Sequence, residues 1–177
     1  SKAGLIRNCR CNGASKFTAG ANLEIVGIPS GTTITLADKA LFEVRAITTT
    51  LFRMTYSVSG TFTLATAHID GAPSTTASYT VSNGQVSVSW GSNSTFSGTS
   101  NSTSFTFTGM PEEIMPITPG KITGYYHARD NGVAGSAYIQ IGVSTFNQWL
   151  VSFTNGAGWT ASGQKWLNTT EVNYRIA

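Results

Sequence analysis

From residue 23 onward apolar side chains recur at every second position, and no stretch repeats at the three-to-four spacing of a helix. The clearest unit is "SYTVSNGQVSVSW" (78–90). Tyr79 and Val81 alternate on one arm, and Val86, Val88 and Trp90 on the other. A two-residue turn at Asn83-Gly84 sets Val81 opposite Val86 and Tyr79 opposite Val88, so all the apolar groups share one face. Asn-Gly suits a type I′ turn, whose two central residues both need positive φ.

Similar arms recur along the chain. Phe42, Val44 and Ala46 alternate, as do Phe52, Met54, Tyr56 and Val58, and then Phe62 and Leu64. Later come Phe105 and Phe107, then Ile139, Ile141 and Val143, then Trp149, Val151 and Phe153, and finally Val172, Tyr174 and Ile176. "ARDNGVAGS" supplies a second turn, between a strand around Tyr125–Ala128 and one around 137–143. About ten short strands punctuated by Gly, Asn and Pro predict an all-β fold, an antiparallel β-sandwich or jelly roll. Residues 1–22 lack alternation and are expected to form an extended N-terminal arm. Residues 23–77 form an N-terminal β region. The polar stretch "ATAHIDGAPSTTA" (65–77) is either a linker or a long loop, and a C-terminal β-sandwich domain follows over 78–177.

Charged residues are only 11% of the 177, against about a quarter in ordinary soluble domains, so Ser, Thr, Asn and Gly supply the polarity. The small net charge of +3 is uneven: Lys2, Arg7, Arg10 and Lys16 all precede the first acid, Glu24. Such a basic arm suits docking on an acidic surface; the alternative is a solvated tail. No basic stripe interleaves with aromatics beyond it, which argues against a nucleic-acid partner. No apolar run is long enough for a membrane helix, and the N-terminus lacks the apolar core of a signal peptide. Ser1 is the residue expected once an initiator Met is removed, which on this reading makes the chain a complete gene product.

Cys9 and Cys11 in "NCRCNG" lack the further ligands a zinc site wants, since His68 and His127 are distant in sequence. Two free thiols are expected; the alternative is Cys9 of one subunit meeting Cys11 of a neighbour.

"SFTFTGMPEEIMP" (104–116) ends a strand at Gly109-Met110-Pro111 and sets Glu112 beside Glu113. In an extended segment consecutive side chains point to opposite sides, so the pair is not expected to converge on one substrate atom. A glycosidase pair would need a second carboxyl across a cleft, and nothing in the sequence brings Asp70, Asp130 or Glu171 there. His127 and Asp130 in "GYYHARDNG" suggest a triad with a serine, but no nucleophile-elbow motif is present. Asn93, Asn101 and Asn168 fit the N-glycosylation pattern, as chance allows in so Ser/Thr-rich a chain. Trp159 and Trp166 in "GAGWTASGQKW" have two readings: stacking on a glycan, or filling the core or a subunit interface, as Trp90 and Trp149 also would.

"GTSNSTSFTFTGMPEEIMP" (98–116) resembles a signature of small bacteriophage surface proteins and fibre-tip domains, G-T-S-N-x-T-x-F-x-x-T-G-L-P-x-x-x-x-P. A hairpin like "YTVSNGQVSVSW" precedes it there. An Asp-Asn-Gly turn and F-T-A-S-G-T-K-G follow, here Asp130-Asn131-Gly132 and "WTASGQKW" (159–166). The match covers residues 78–177, with Met110 and Trp166 departing from Leu and Gly. The resemblance implies a non-enzymatic virion surface protein, commonly a homotrimer, with no catalytic, cofactor-binding or metal-binding residue to carry over. Two roles follow as expectations. One is a capsid decoration (cement) protein that docks on other virion proteins through Lys2, Arg7, Arg10 and Lys16. The other is a tail-fibre or spike tip that holds a host surface glycan through Trp159 and Trp166. Long parallel β-helices of the kind phages use to degrade glycans would show coil repeats, and this chain has none.

Overall fold

Asn83 and Gly84 both take positive φ, 49° and 78°, and join two strands in the predicted register, Val81 against Val86 and Tyr79 against Val88. The turn is not a free tip. The Asn83 amide donates to the Tyr56 carbonyl, and the Tyr56 amide donates to Asn83 Oδ1, at 3.1 and 3.0 Å. Asn131 and Gly132 repeat the same chemistry, at φ 48° and 83°, between Asp130 and Val133.

The computed structural model describes residues 3–36, 38–91, 96–142 and 148–176. Val143, Lys2 and Asn93, all named above, lie outside them. The described residues are all-β. In chain order they form β1 (Ile6–Arg10), β2 (Ser15–Thr18), β3 (Leu23–Ile25), β4 (Thr33–Leu36), β5 (Leu41–Ala46), β6 (Phe52–Ala65), β7 (Ser74–Ser82) and β8 (Gln85–Trp90). β9 (Gly98–Thr99), β10 (Thr106–Thr108), a 3₁₀ turn at Glu112–Ile114, β11 (Lys121–Asp130), β12 (Val133–Ile141), β13 (Gln148–Phe153), β14 (Gln164–Asn168) and β15 (Glu171–Arg175) follow.

Pairing is antiparallel except for β3 on β6, and the main sheet curls into a half-barrel whose inner faces pack as in a sandwich. One layer runs β15-β8-β7-β6, with β5 and β1 extending it; the other runs β10-β13-β12-β11-β14-β9. Among the described residues the strands of the two layers share a single register pair, Thr108 with Ala65, and an isolated bridge of Ile69 with Ser100 adds a second link. Cohesion therefore comes from side chains meeting between the layers. Phe107 of β10 packs on Trp90 of β8, ring centroids 6.0 Å apart, and Trp149 of β13 on Tyr174 of β15 at 6.2 Å. Phe96 stands edge-on to Phe107 at 4.8 Å. Burying each such ring contributes roughly 1.5–3 kcal/mol.

Three sequence expectations are corrected. Residues 1–22 are not an unpaired arm: β1 pairs with β5 from Ile6 to Arg10, and β2 pairs with β4 in a separate two-stranded sheet. β1 shows no alternation because nearly all of it faces solvent, and its partner strand, not its own pattern, makes it a strand. The possible boundary at 65–77 falls in a hairpin, since β6 and β7 pair continuously from Ser57–Ser82 to Ala65–Ser74. The two arms around Phe52–Val58 and Phe62–Leu64 are one strand. Gly60 lies within it rather than in a turn, because the Tyr79 ring fills the space where a Cβ would stand, 2.7 Å away.

Candidate functional site

The cations assigned to docking fall on different surfaces. Arg7 and Arg10 are exposed on β1, an outermost strand that among the described residues is hydrogen-bonded on one side only, to β5. Directly opposed residues share a face, so Ile6, Asn8 and Arg10 lie with Arg45, Glu43 and Leu41, whereas Arg7 and Cys9 lie on the other face with Val44 and Phe42. Lys16 is exposed on β2, in the smaller sheet, which meets the larger one through Phe17 and Phe42 at 5.0 Å. Apolar groups accompany the cations. Leu5 and Ile6 are each 44% exposed and Leu41 63%, which sequence alternation did not single out. Cys9 and Cys11 are free thiols; Cys11 is buried, which leaves it poorly placed to meet a neighbour's Cys9.

Trp159 does not present a face to a glycan. It is 5% exposed, its indole N–H donates to the Val151 carbonyl at 2.8 Å, and its ring packs on Phe153 and Phe105 at 4.3 and 5.1 Å. The turn-like sequence around it folds back over the core, so the core alternative holds for this residue. Trp166 is half-buried on β14 and stands edge-on to His127 at 5.7 Å. His127 and Arg129 on β11 pair with Asn168 and Trp166 on β14, and Tyr125 two residues earlier pairs with Tyr138 on β12. Because these positions share parity, the outer face carries an aromatic row of Trp166, His127, Tyr125 and Tyr138. Tyr125 is 71% exposed, with its ring 6.3 Å from that of Tyr138. The alternation in "GYYHARD" held the signal for Tyr125, which sequence reasoning left unused. Asp130 has the opposite parity to His127; it is buried and accepts from the Thr160 amide and hydroxyl, each at 2.9 Å, which separates it from any triad with His127.

Lys165, also missed, has no exposed surface. Its ammonium donates to the Ser102 and Ser104 carbonyls at 2.7 and 2.5 Å and lies over the Phe105 and Trp159 rings at 5.7 and 5.5 Å. Burial pushes its pKa down to about 8, and the Asp130 charge partly offsets this. Loss of hydration is thus met by carbonyl dipoles and ring faces rather than by a bonded carboxylate. His68 is lowered in turn, first by its own burial and then by the Lys165 charge.

Glu112 and Glu113 stand on the turn that follows Gly109-Met110-Pro111. They occupy a 3₁₀ turn rather than an extended segment, and both border the same cavity of about 330 Å³. No protein-family model and no curated protein sequence matches the chain.

Proposed function

We propose that the chain is a non-enzymatic structural protein of a bacteriophage particle, displayed on the virion surface as a capsid decoration protein. The observation that carries this reading is the open rim at β1, where a strand edge unpaired among the described residues joins exposed Leu5, Ile6 and Leu41 to Arg7, Arg10 and Arg45. A strand edge offers a row of unpaired backbone donors and acceptors, which a partner strand completes. Flanking cations favour an acidic partner and speed the encounter. Docking is thus by a sheet rim, not by a threaded arm, and the partner is a capsid protein surface with acidic residues beside its own strand edge. The sequence resemblance to phage surface proteins supports the same reading, and with it a homotrimer, the kind of closed symmetry that oligomers favour.

A second reading has its own observation. The row of Trp166, His127, Tyr125 and Tyr138, with Asn168 and Arg129 beside it, offers ring faces and hydrogen-bonding groups of the kind that hold a sugar, as a receptor-binding fibre or spike tip would.

Purified protein mixed with undecorated capsids tests the first reading. Wild type should co-sediment, and Arg7→Glu with Arg10→Glu should lower that binding by about tenfold or more. Wild type that ignores capsids but adheres to host cells, with adhesion lost in Tyr125→Ala, would replace decoration with adhesion.

A further inference from the structure

The cavity beside Glu112 and Glu113 lies between the two sheets and the chain that follows β10. Its floor is the inner face of β6 and β7, through Tyr56, Val58 and Val81; β4 forms one wall and residues 112–117 the other. Its volume, about 330 Å³, falls in the range of small-ligand sites. Ile34, Leu36, Val58 and Val81 give the interior an aliphatic stretch beside Thr33, Thr35 and Tyr56, and the charge at its border is of one sign. Glu113 lies beside Tyr79, whose phenol is pushed up first by burial and then by that carboxylate. No lysine or arginine among the described residues pairs with Glu112 or Glu113; the ion pair there is Arg53 with Glu24, on another strand pair.

A second observation points inward. Tyr56 is 4% exposed, and its hydroxyl is buried without a hydrogen-bond partner. The Gly84 amide lies near enough to ease the burial of that phenol slightly, but it does not meet the hydroxyl with hydrogen-bond geometry. A buried hydroxyl left unpaired is costly, and a donor entering the cavity would relieve it. An aliphatic stretch of wall, two carboxylates with no paired cation among the described residues and one unsatisfied hydroxyl together suit a ligand that is apolar along its stem and positively charged at a hydrogen-bonding head.

We propose that this cavity binds a primary alkylammonium group, with its charge held by Glu112 and Glu113 and its aliphatic stem against Val58 and Val81. A free alkylamine and a lysine side chain of a neighbouring polypeptide share this chemistry. The site stands apart from the β1 rim and does not depend on the docking proposal.

Methyl NMR titration of the full chain with n-pentylamine, n-pentanol and a capped lysine peptide tests it at neutral pH. Pentylamine should shift the Val58, Val81 and Ile34 methyl signals and bind about tenfold more tightly than the equally sized alcohol, the advantage shrinking as salt is raised. In the double variant Glu112→Gln, Glu113→Gln, the folded spectrum should persist while the amine falls to the level of the alcohol. If the lysine peptide matches pentylamine the source is a neighbouring chain, and if only pentylamine binds it is a free amine. Equal binding of amine and alcohol, shifts away from these methyls, or a preference that survives in the double variant would overturn the proposal.

Discussion

The Thr63 carbonyl oxygen stands 2.1 Å from the place a Cβ on Gly109 would occupy, and Gly109 has φ 98°. Here β10 leaves its one shared pair with β6 and the chain turns into Met110 and Pro111. Both the dihedral and the contact require glycine. Gly109→Ala should therefore lower stability by about 2–4 kcal/mol in urea unfolding. Gly158, with open space around it and no left-handed φ, is the control, and Gly158→Ala should stay within about 0.5 kcal/mol.

The buried lysine predicts how stability changes with pH. Its folded pKa of about 8 lies below the ordinary 10.5, so between those values the unfolded chain holds the proton more often than the folded one. Stability should therefore rise from about pH 8 toward pH 10, by up to roughly 3 kcal/mol. Tyr174, Tyr56, Tyr79 and Tyr126 have the opposite sign. Burial raises each phenol above 10.0, so their contribution is present below that pH and lost above it. Urea midpoints should peak between about pH 9 and 10, and in Lys165→Met the rising limb should be flat. A rising limb that persists in this variant would assign the effect to another group.

Trp159 and Trp166 should separate cleanly on truncation. Trp159→Ala opens a cavity among Phe105, Phe153 and Lys165 and should cost about 3–5 kcal/mol. Trp166→Ala removes a half-buried ring and should cost about 1 kcal/mol. Equal losses would mean that the outer row is packed against something, such as another copy of the chain.

Tyr174 ties the last strand to the 3₁₀ turn, its hydroxyl donating to the Ile114 carbonyl. Tyr174→Phe leaves that buried carbonyl unpaired and should cost about 1–3 kcal/mol, with the m-value unchanged.

Local pattern carried far in this chain where turn chemistry and alternation agreed. Both Asn-Gly turns, the register of the first hairpin and the inward sets on β12, β13 and β15 follow from residue type and parity alone. β1 was hidden because a rim strand wetted on nearly every side has no reason to alternate; only its distant partner β5 defines it. The docking of Trp159 was hidden for a similar reason, since "GAGWTASG" has the composition of a turn and the Val151 carbonyl that holds its indole is remote in the pattern. Lys165 was legible in part. It shares parity with Leu167, on the inward side of β14, while Trp166 between them faces outward. What composition could not supply was the pair of carbonyls that makes an inward lysine tolerable. The aromatic row needed β14 beside β11, a pairing between segments some forty residues apart.

Among the described residues the layers are tied by the Thr108–Ala65 pair and by the β6–β7 connection, where the Asp70 amide donates to the Thr99 carbonyl, so side-chain contact supplies most of what resists their parting. The ladders within each layer stay bonded whatever the solvent does to oily surfaces, whereas the attraction between the layers fades as water is chilled. Chilling should therefore loosen this seam before the ladders on either side of it.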